Sequence, residues 1–149
     1  MNKHVSYWLA IALYLPFAVA FAQETAGTVK VVKGEVSIVR SGTSIKASTG
    51  MKVMAADKIV TRAGSSVGVT LQDDTLLAFG PKSVCELTRF RYDPVRRDGS
   101  LLISILEGSM RFVTGQLGRL RPESVEIRSP NAVVGIRGTD FIVSVERGR

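Results

Sequence analysis

The chain has 149 residues and lacks most of the parts from which enzymes and disulfide-stapled exported domains are built. Cysteine occurs once, at Cys85. No intramolecular disulfide can form, so the folded part must stand on its core alone. Cys85 itself reads as a small buried residue of a strand rather than a reactive thiol, and it lies too far along the chain to be a lipid-modified N-terminal cysteine. Histidine also occurs once, at His4. A Ser-His-Asp or Cys-His arrangement therefore has no base in the rest of the chain, and zinc lacks one of its usual ligands. Carboxylates are not clustered. Asp73 and Asp74 are adjacent, but neighbouring turn residues point different ways and no third ligand follows at a metal-like spacing. They read as a solvated turn. No catalytic, cofactor-binding or metal-binding residue is assigned, no cofactor is expected, and the chain reads as a non-enzyme. Helical periodicity is missing as well: outside the N-terminal segment no stretch of about ten residues carries a 3.6-residue period.

The N-terminus carries the one long apolar run. Lys3 and His4 precede Val5 to Ala22, which ends in Ala20-Phe21-Ala22 before the polar Gln23-Glu24. A charged start, an apolar middle and small residues two apart describe a secretory signal peptide over 1–22. The alternative is an uncleaved anchor in the inner membrane; the run is short for a span and Pro16 interrupts it. The mature chain is expected to cross no membrane and to be exported, to the periplasm. Net charge is +7, and loss of Lys3 with the leader leaves +6. A basic exported protein meets anionic glycans, lipid head groups or acidic protein surfaces; nucleic acid is not an expected partner once the chain has left the cytoplasm.

After a short linker over 23–28, the period of the apolar residues is two. Val67, Val69 and Leu71 alternate with Gly68 and Thr70; Leu101, Ile103 and Ile105, Met110 and Phe112, Val125 and Ile127, and Phe141, Val143 and Val145 behave alike. Alternation places one set of side chains on one sheet face, so these are half-buried strands. Turn signals punctuate them, and Gln72-Asp73-Asp74-Thr75 reads as a tight hairpin turn. Tyr92–Ser100 and Gly115–Ser124 read as exposed loops. Three segments share a local form, a charged residue and a glycine before an alternating strand: Lys33-Gly34, Glu107-Gly108 and Arg137-Gly138. Glycine there suits a bend with positive φ or a close backbone approach. The expected fold is all-β, about ten short strands in two packed layers or a short β-solenoid, with the domain over 29–147.

Four of these segments, in order, resemble the FecR-type domain. Gly50 followed by Asp57-Lys58-Ile59-Val60-Thr61 is similar to its opening strand. Leu71 to Gly80 is similar to its central hairpin, with Asp74 where the family usually has glycine. Glu107-Gly108 before Met110-Arg111-Phe112-Val113 is similar to the next strand, and Gly138-Thr139-Asp140-Phe141 to its closing signature. The resemblance implies a β-rich, exported, non-catalytic module, without the anti-sigma and transmembrane regions of the family's regulators. It makes Gly50, Asp57, Thr61, Gly108, Gly138, Thr139 and Phe141 signature residues with structural roles. Asp57 is expected to cap a turn and Thr61 to end a strand; Gly138 and Thr139 are expected to orient Phe141 into the core.

Arg89, Arg91, Arg96 and Arg97 surround Phe90 and Tyr92. In a strand Arg89 and Arg91 share one face and Phe90 and Tyr92 the other. Because arginine and tyrosine are enriched at interfaces, these four arginines form the candidate partner surface, with Arg119 and Arg121 as its open extension. The expected function is a binding or signal-sensing adaptor of the cell envelope that recruits a protein. The alternative is a basic scaffold for anionic envelope polymer, peptidoglycan-associated polymer or lipopolysaccharide.

Overall fold

The computed structural model describes residues 24–147, so the expected signal peptide lies outside the described residues. Twelve strands follow in chain order. β1 (Thr25–Lys33), β2 (Val36–Arg40), β3 (Thr43–Lys46), β4 (Lys52–Met54), β5 (Lys58–Thr61) and β6 (Ser66–Leu71) come first. β7 (Leu76–Phe79), β8 (Val84–Asp93) and the long β9 (Asp98–Val113) complete the centre. A short helix α1 (Gln116–Leu120) and a 3-10 turn (Pro122–Ser124) lead to β10 (Val125–Ser129), β11 (Ala132–Gly135) and β12 (Asp140–Val145).

The strands form one curled sheet whose two halves share β9. The C-terminal part of β9 pairs with β7 and β12, completing β4-β1-β6-β7-β9-β12. Its N-terminal part pairs with β8 and β10, completing β3-β2-β5-β8-β9-β10-β11. The change of partners falls at Gly108, whose φ is +89°. All ladders except β9–β10 are antiparallel. Stacked coils of a β-solenoid would pair in parallel, so the two facing layers are the arrangement observed.

Period-two patterning does what it promises. Val67, Val69 and Leu71 of β6, Leu77 and Phe79 of β7, and Leu101, Ile103 and Ile105 of β9 are buried in one core. Val53, Val69 and Leu77 of one half line the same interior gap as Ile59, Cys85 and Ile103 of the other, so the halves close on each other. Asp74 sits at φ +65° in the β6–β7 turn, in the left-handed conformation that aspartate tolerates. The three glycines before alternating strands, Gly34, Gly108 and Gly138, all have positive φ.

Three expectations are corrected. The segment 23–28 is not a linker throughout: β1 begins at Thr25, and Ala26 is in the core. Residues 115–124 are not an open loop but α1 and the 3-10 turn, with Leu117 fully buried. One apolar anchor in a short turn suffices to seat such a segment, and too few residues are involved for a period to show. The loop at 92–100 shrinks to the four residues between β8 and β9.

Candidate functional site

The four candidate arginines occupy the far end of the β8–β9 hairpin. Cys85 and Leu87 of β8 point into the core. Strict alternation from there would turn Arg89 and Arg91 inward as well. The register instead shifts between Glu86 and Arg89, a bulge that reverses the phase. Phe90 is therefore the next buried residue, and Thr88, Arg89 and Arg91 are exposed. The sequence signal is the three-residue step from Leu87 to Phe90.

Arg89 and Arg91 lie on the outer face of this half. Arg89 is opposite Leu102 of β9, and Leu102 is opposite Glu126 of β10. One row over, Ser104 is opposite Arg128, and its hydroxyl is 2.8 Å from that of Thr88. Glu126 and Arg128 form an ion pair. Leu102 is only 4% exposed although it belongs to the outward row. The face is thus a short arginine-bearing platform with a covered leucine at its centre, and Arg128 joins it from a strand that sequence reasoning did not connect to it.

Arg96 and Arg97 belong to the tip. Asp93 Oδ1 accepts from the Val95 and Arg96 amides at 2.9 and 3.1 Å, a side-chain-capped turn, and Asp93 also lies 3.8 Å from the Arg96 guanidinium. Arg121 reaches Asp98 at 3.6 Å, which brings the end of α1 to the turn end of the hairpin. The Tyr92 hydroxyl donates to Gln116 Oε1 at 2.8 Å, a second tie between hairpin and helix. Among the described residues Arg89, Arg91, Arg97 and Arg119 form no ion pair. Arg91, Tyr92, Asp93, Pro94, Arg96 and Asp98, with Glu24, line an open groove of about 390 Å³. The structure therefore divides the four arginines into a face and a tip.

The signature residues gather elsewhere, in turns and clasps. Asp57 is buried and binds Arg40 through two hydrogen bonds of 2.9 and 2.7 Å, and it accepts from the Met54 amide at 2.8 Å. Asp57 holds the Arg40 guanidinium above its ordinary pKa, chiefly through that side-chain hydrogen bond. Thr61 donates to the Gly80 carbonyl at 2.6 Å and accepts from the Ser83 amide at 2.9 Å. Ser83 Oγ in turn accepts from the Ser109 amide at 3.0 Å. A Cβ on Gly108 would lie 2.2 Å from Ser83 Oγ and 2.5 Å from its Cα, so only glycine fits. Gly50 has φ +89° and donates its amide to Val29 at 2.8 Å. Thr114 binds the Gly138 and Thr139 carbonyls at 3.0 and 2.8 Å. Phe141 stacks on buried Phe112 with centroids 5.2 Å apart. Asp140 forms a bidentate pair with Arg111 at 2.9 and 2.6 Å, whose hydrogen bonds lower the carboxyl pKa.

Asp73 overturns the solvated-turn expectation. It is fully buried. Oδ2 accepts from the Thr75 hydroxyl at 2.8 Å and from the Leu117 amide at 3.2 Å, and its carbonyl accepts from the Gln116 amide at 2.7 Å. The start of α1 covers the turn, and Asp73 supplies the acceptors that the helix end needs. Burial pushes the Cys85 thiol up to about 12, which leaves it protonated and unreactive at neutral pH. Among the described residues no group of three or more His, Cys, Asp or Glu side chains is placed to hold a metal ion, and no helix is long and apolar enough to cross a membrane.

The family model described as FecR protein matches residues 57–149. No curated protein and no solved structure matches the chain.

Proposed function

We propose that this chain, which belongs to the FecR protein family, is a non-enzymatic adaptor of the cell envelope that recruits a protein partner through the outer face of β8, β9 and β10. Membership supports a signal-sensing or regulatory role in the envelope, and the platform of Arg89, Arg91 and Arg128 supports the adaptor reading. The single observation that carries it is the make-up of that face. Arg89 and Arg91, which have no ionic partner among the described residues, share the face with Arg128 and with an acid, Glu126. A face of mixed charge suits a protein surface, where guanidinium groups bind carboxylates in pairs. A polyanion on this face would favour uniform positive charge, and Glu126 would repel it. Export to the periplasm belongs to the same reading; an inner-membrane anchor through an uncleaved N-terminus is its alternative, and N-terminal sequencing of the exported protein distinguishes them.

A photo-crosslinking residue placed at Arg91 in cells tests the proposal. The expected product is one defined protein adduct, lost when Arg89→Glu and Arg128→Glu are combined. A heterogeneous smear together with co-sedimentation on cell-wall or lipopolysaccharide preparations sinks the adaptor reading in favour of the polymer scaffold.

A further inference from the structure

We propose that the tip of the β8–β9 hairpin seats the domain on the surface of an anionic lipid bilayer. This goes beyond the adaptor reading and uses a different part of the hairpin, the turn rather than the sheet face.

The first observation is chemical. Val95, between Pro94 and Arg96, is 90% exposed, the most exposed large hydrophobic side chain among the described residues. A single exposed valine is ordinary. Here, however, the Arg121–Asp98 pair brings the end of α1 to the same place, and with it Leu120, which is 51% exposed, and Arg119. Two outward apolar residues thus share one end of the molecule with Arg91, Arg96, Arg97 and Arg119. The acids at this end are Asp93, which binds the Val95 and Arg96 amides and lies beside the Arg96 guanidinium, Asp98, which pairs with Arg121, and Glu24; with Arg121 counted, the five arginines outnumber them. Short apolar residues among arginines match the boundary between acyl chains and anionic head groups. A soluble polymer could use the arginines but has no use for Val95 and Leu120.

The second observation is where the chain enters. Glu24, the first described residue, lines the same groove as Arg91 and Arg96. The described chain therefore begins at this end of the domain. The apolar run Val5 to Ala22 ends two residues before Glu24, so a run retained as an anchor would hold this end of the domain at the membrane. The platform of Arg89 and Arg128 stays on the side of the domain, open to a protein partner.

Residues 23–149 hold every core side chain among the described residues and suit the test. They contain no tryptophan, since the one in the sequence is Trp8, so Val95→Trp becomes a single reporter at a solvated position. With vesicles of phosphatidylglycerol and phosphatidylcholine its emission should shift to the blue, and with phosphatidylcholine alone it should not. Arg96→Ser with Arg97→Ser should weaken binding to the anionic vesicles about thirtyfold, from the usual worth of an arginine at such a surface. No shift on anionic vesicles, or equal binding to neutral ones, overturns the proposal. So does binding of polyphosphate as tight as that of the vesicles and indifferent to Val95→Asp, an outcome that assigns the arginines to a soluble polymer. None of these readouts involves the protein partner, so the two proposals fail separately.

Discussion

The paired stretch of β8 and β9 has two ends that are built in opposite ways. At one end, Ser83 and Gly108 meet Thr61 and Ser109 in a clasp where the polar atoms bind each other. No buried side-chain polar atom among the described residues is left without a hydrogen-bond partner. At the other end, Arg89, Arg91 and Arg97 carry guanidinium donors with no ionic partner among the described residues. A group whose bonds are spent inside the fold has nothing left for a ligand, whereas an exposed arginine loses little by exchanging water for a carboxylate or phosphate. The residues of the expected signature therefore stand apart from the arginines that have no ionic partner.

The contrast is broken most severely at Gly108. Gly108→Val places side-chain atoms into Ser83 at a positive φ, and about 3 kcal/mol or more of stability should be lost. A denaturant midpoint close to the parent's would mean that the clasp is not structural. Asp73→Ala comes next. It leaves the Leu117 amide and the Thr75 hydroxyl without their acceptor, at a cost of about 2–3 kcal/mol. Hydrogen exchange should show the Leu117 amide opening before the β6–β7 ladder; simultaneous opening would show that α1 and the turn are not clasped by this carboxylate.

The hairpin end should respond inversely. Arg89→Glu with Arg128→Glu should change stability by no more than about 1 kcal/mol, since both side chains are exposed and the Arg128–Glu126 pair lies at the surface, while abolishing the adduct formed from position 91. A large loss of stability would move these arginines into the structural class. The smallest effect is expected at the Arg111–Asp140 pair, which is exposed. Its folded carboxyl pKa is lowered by Arg111, so any stabilisation is present above the unfolded aspartate range and is lost as pH falls through the folded value. Asp140→Asn should flatten acid-side stability slightly below about pH 4 and leave neutral stability nearly unchanged. A marked change at neutral pH would instead assign the pair a structural role.

The strand faces were readable because period two is a local property: Val67, Val69 and Leu71 declare their shared side without reference to anything else in the chain. The glycines before strands were readable for the same reason, since a positive φ is a constraint on one residue. Asp73 was not. Two adjacent aspartates in a turn look solvated until α1 arrives, more than forty residues later in the chain, to cover one of them. Nor was the grouping of the arginines. Arg89 and Arg91 could be assigned to one face, but their separation from Arg96 and Arg97, and the arrival of Arg128 and Arg121, depend on which strand lies beside β9 and where α1 ends.

By itself the sequence determined an all-β chain with one cysteine, no histidine after His4 and an alternating core, and those features decide the class because side-chain direction along a strand is set by the backbone alone. The tertiary structure decided how β9 divides between two layers, how the bulge in β8 turns Arg89 outward, and how Glu24 comes to lie beside Arg91 and Arg96. Each of these is a contact between residues far apart in the chain, and such contacts exist only once the whole core has closed.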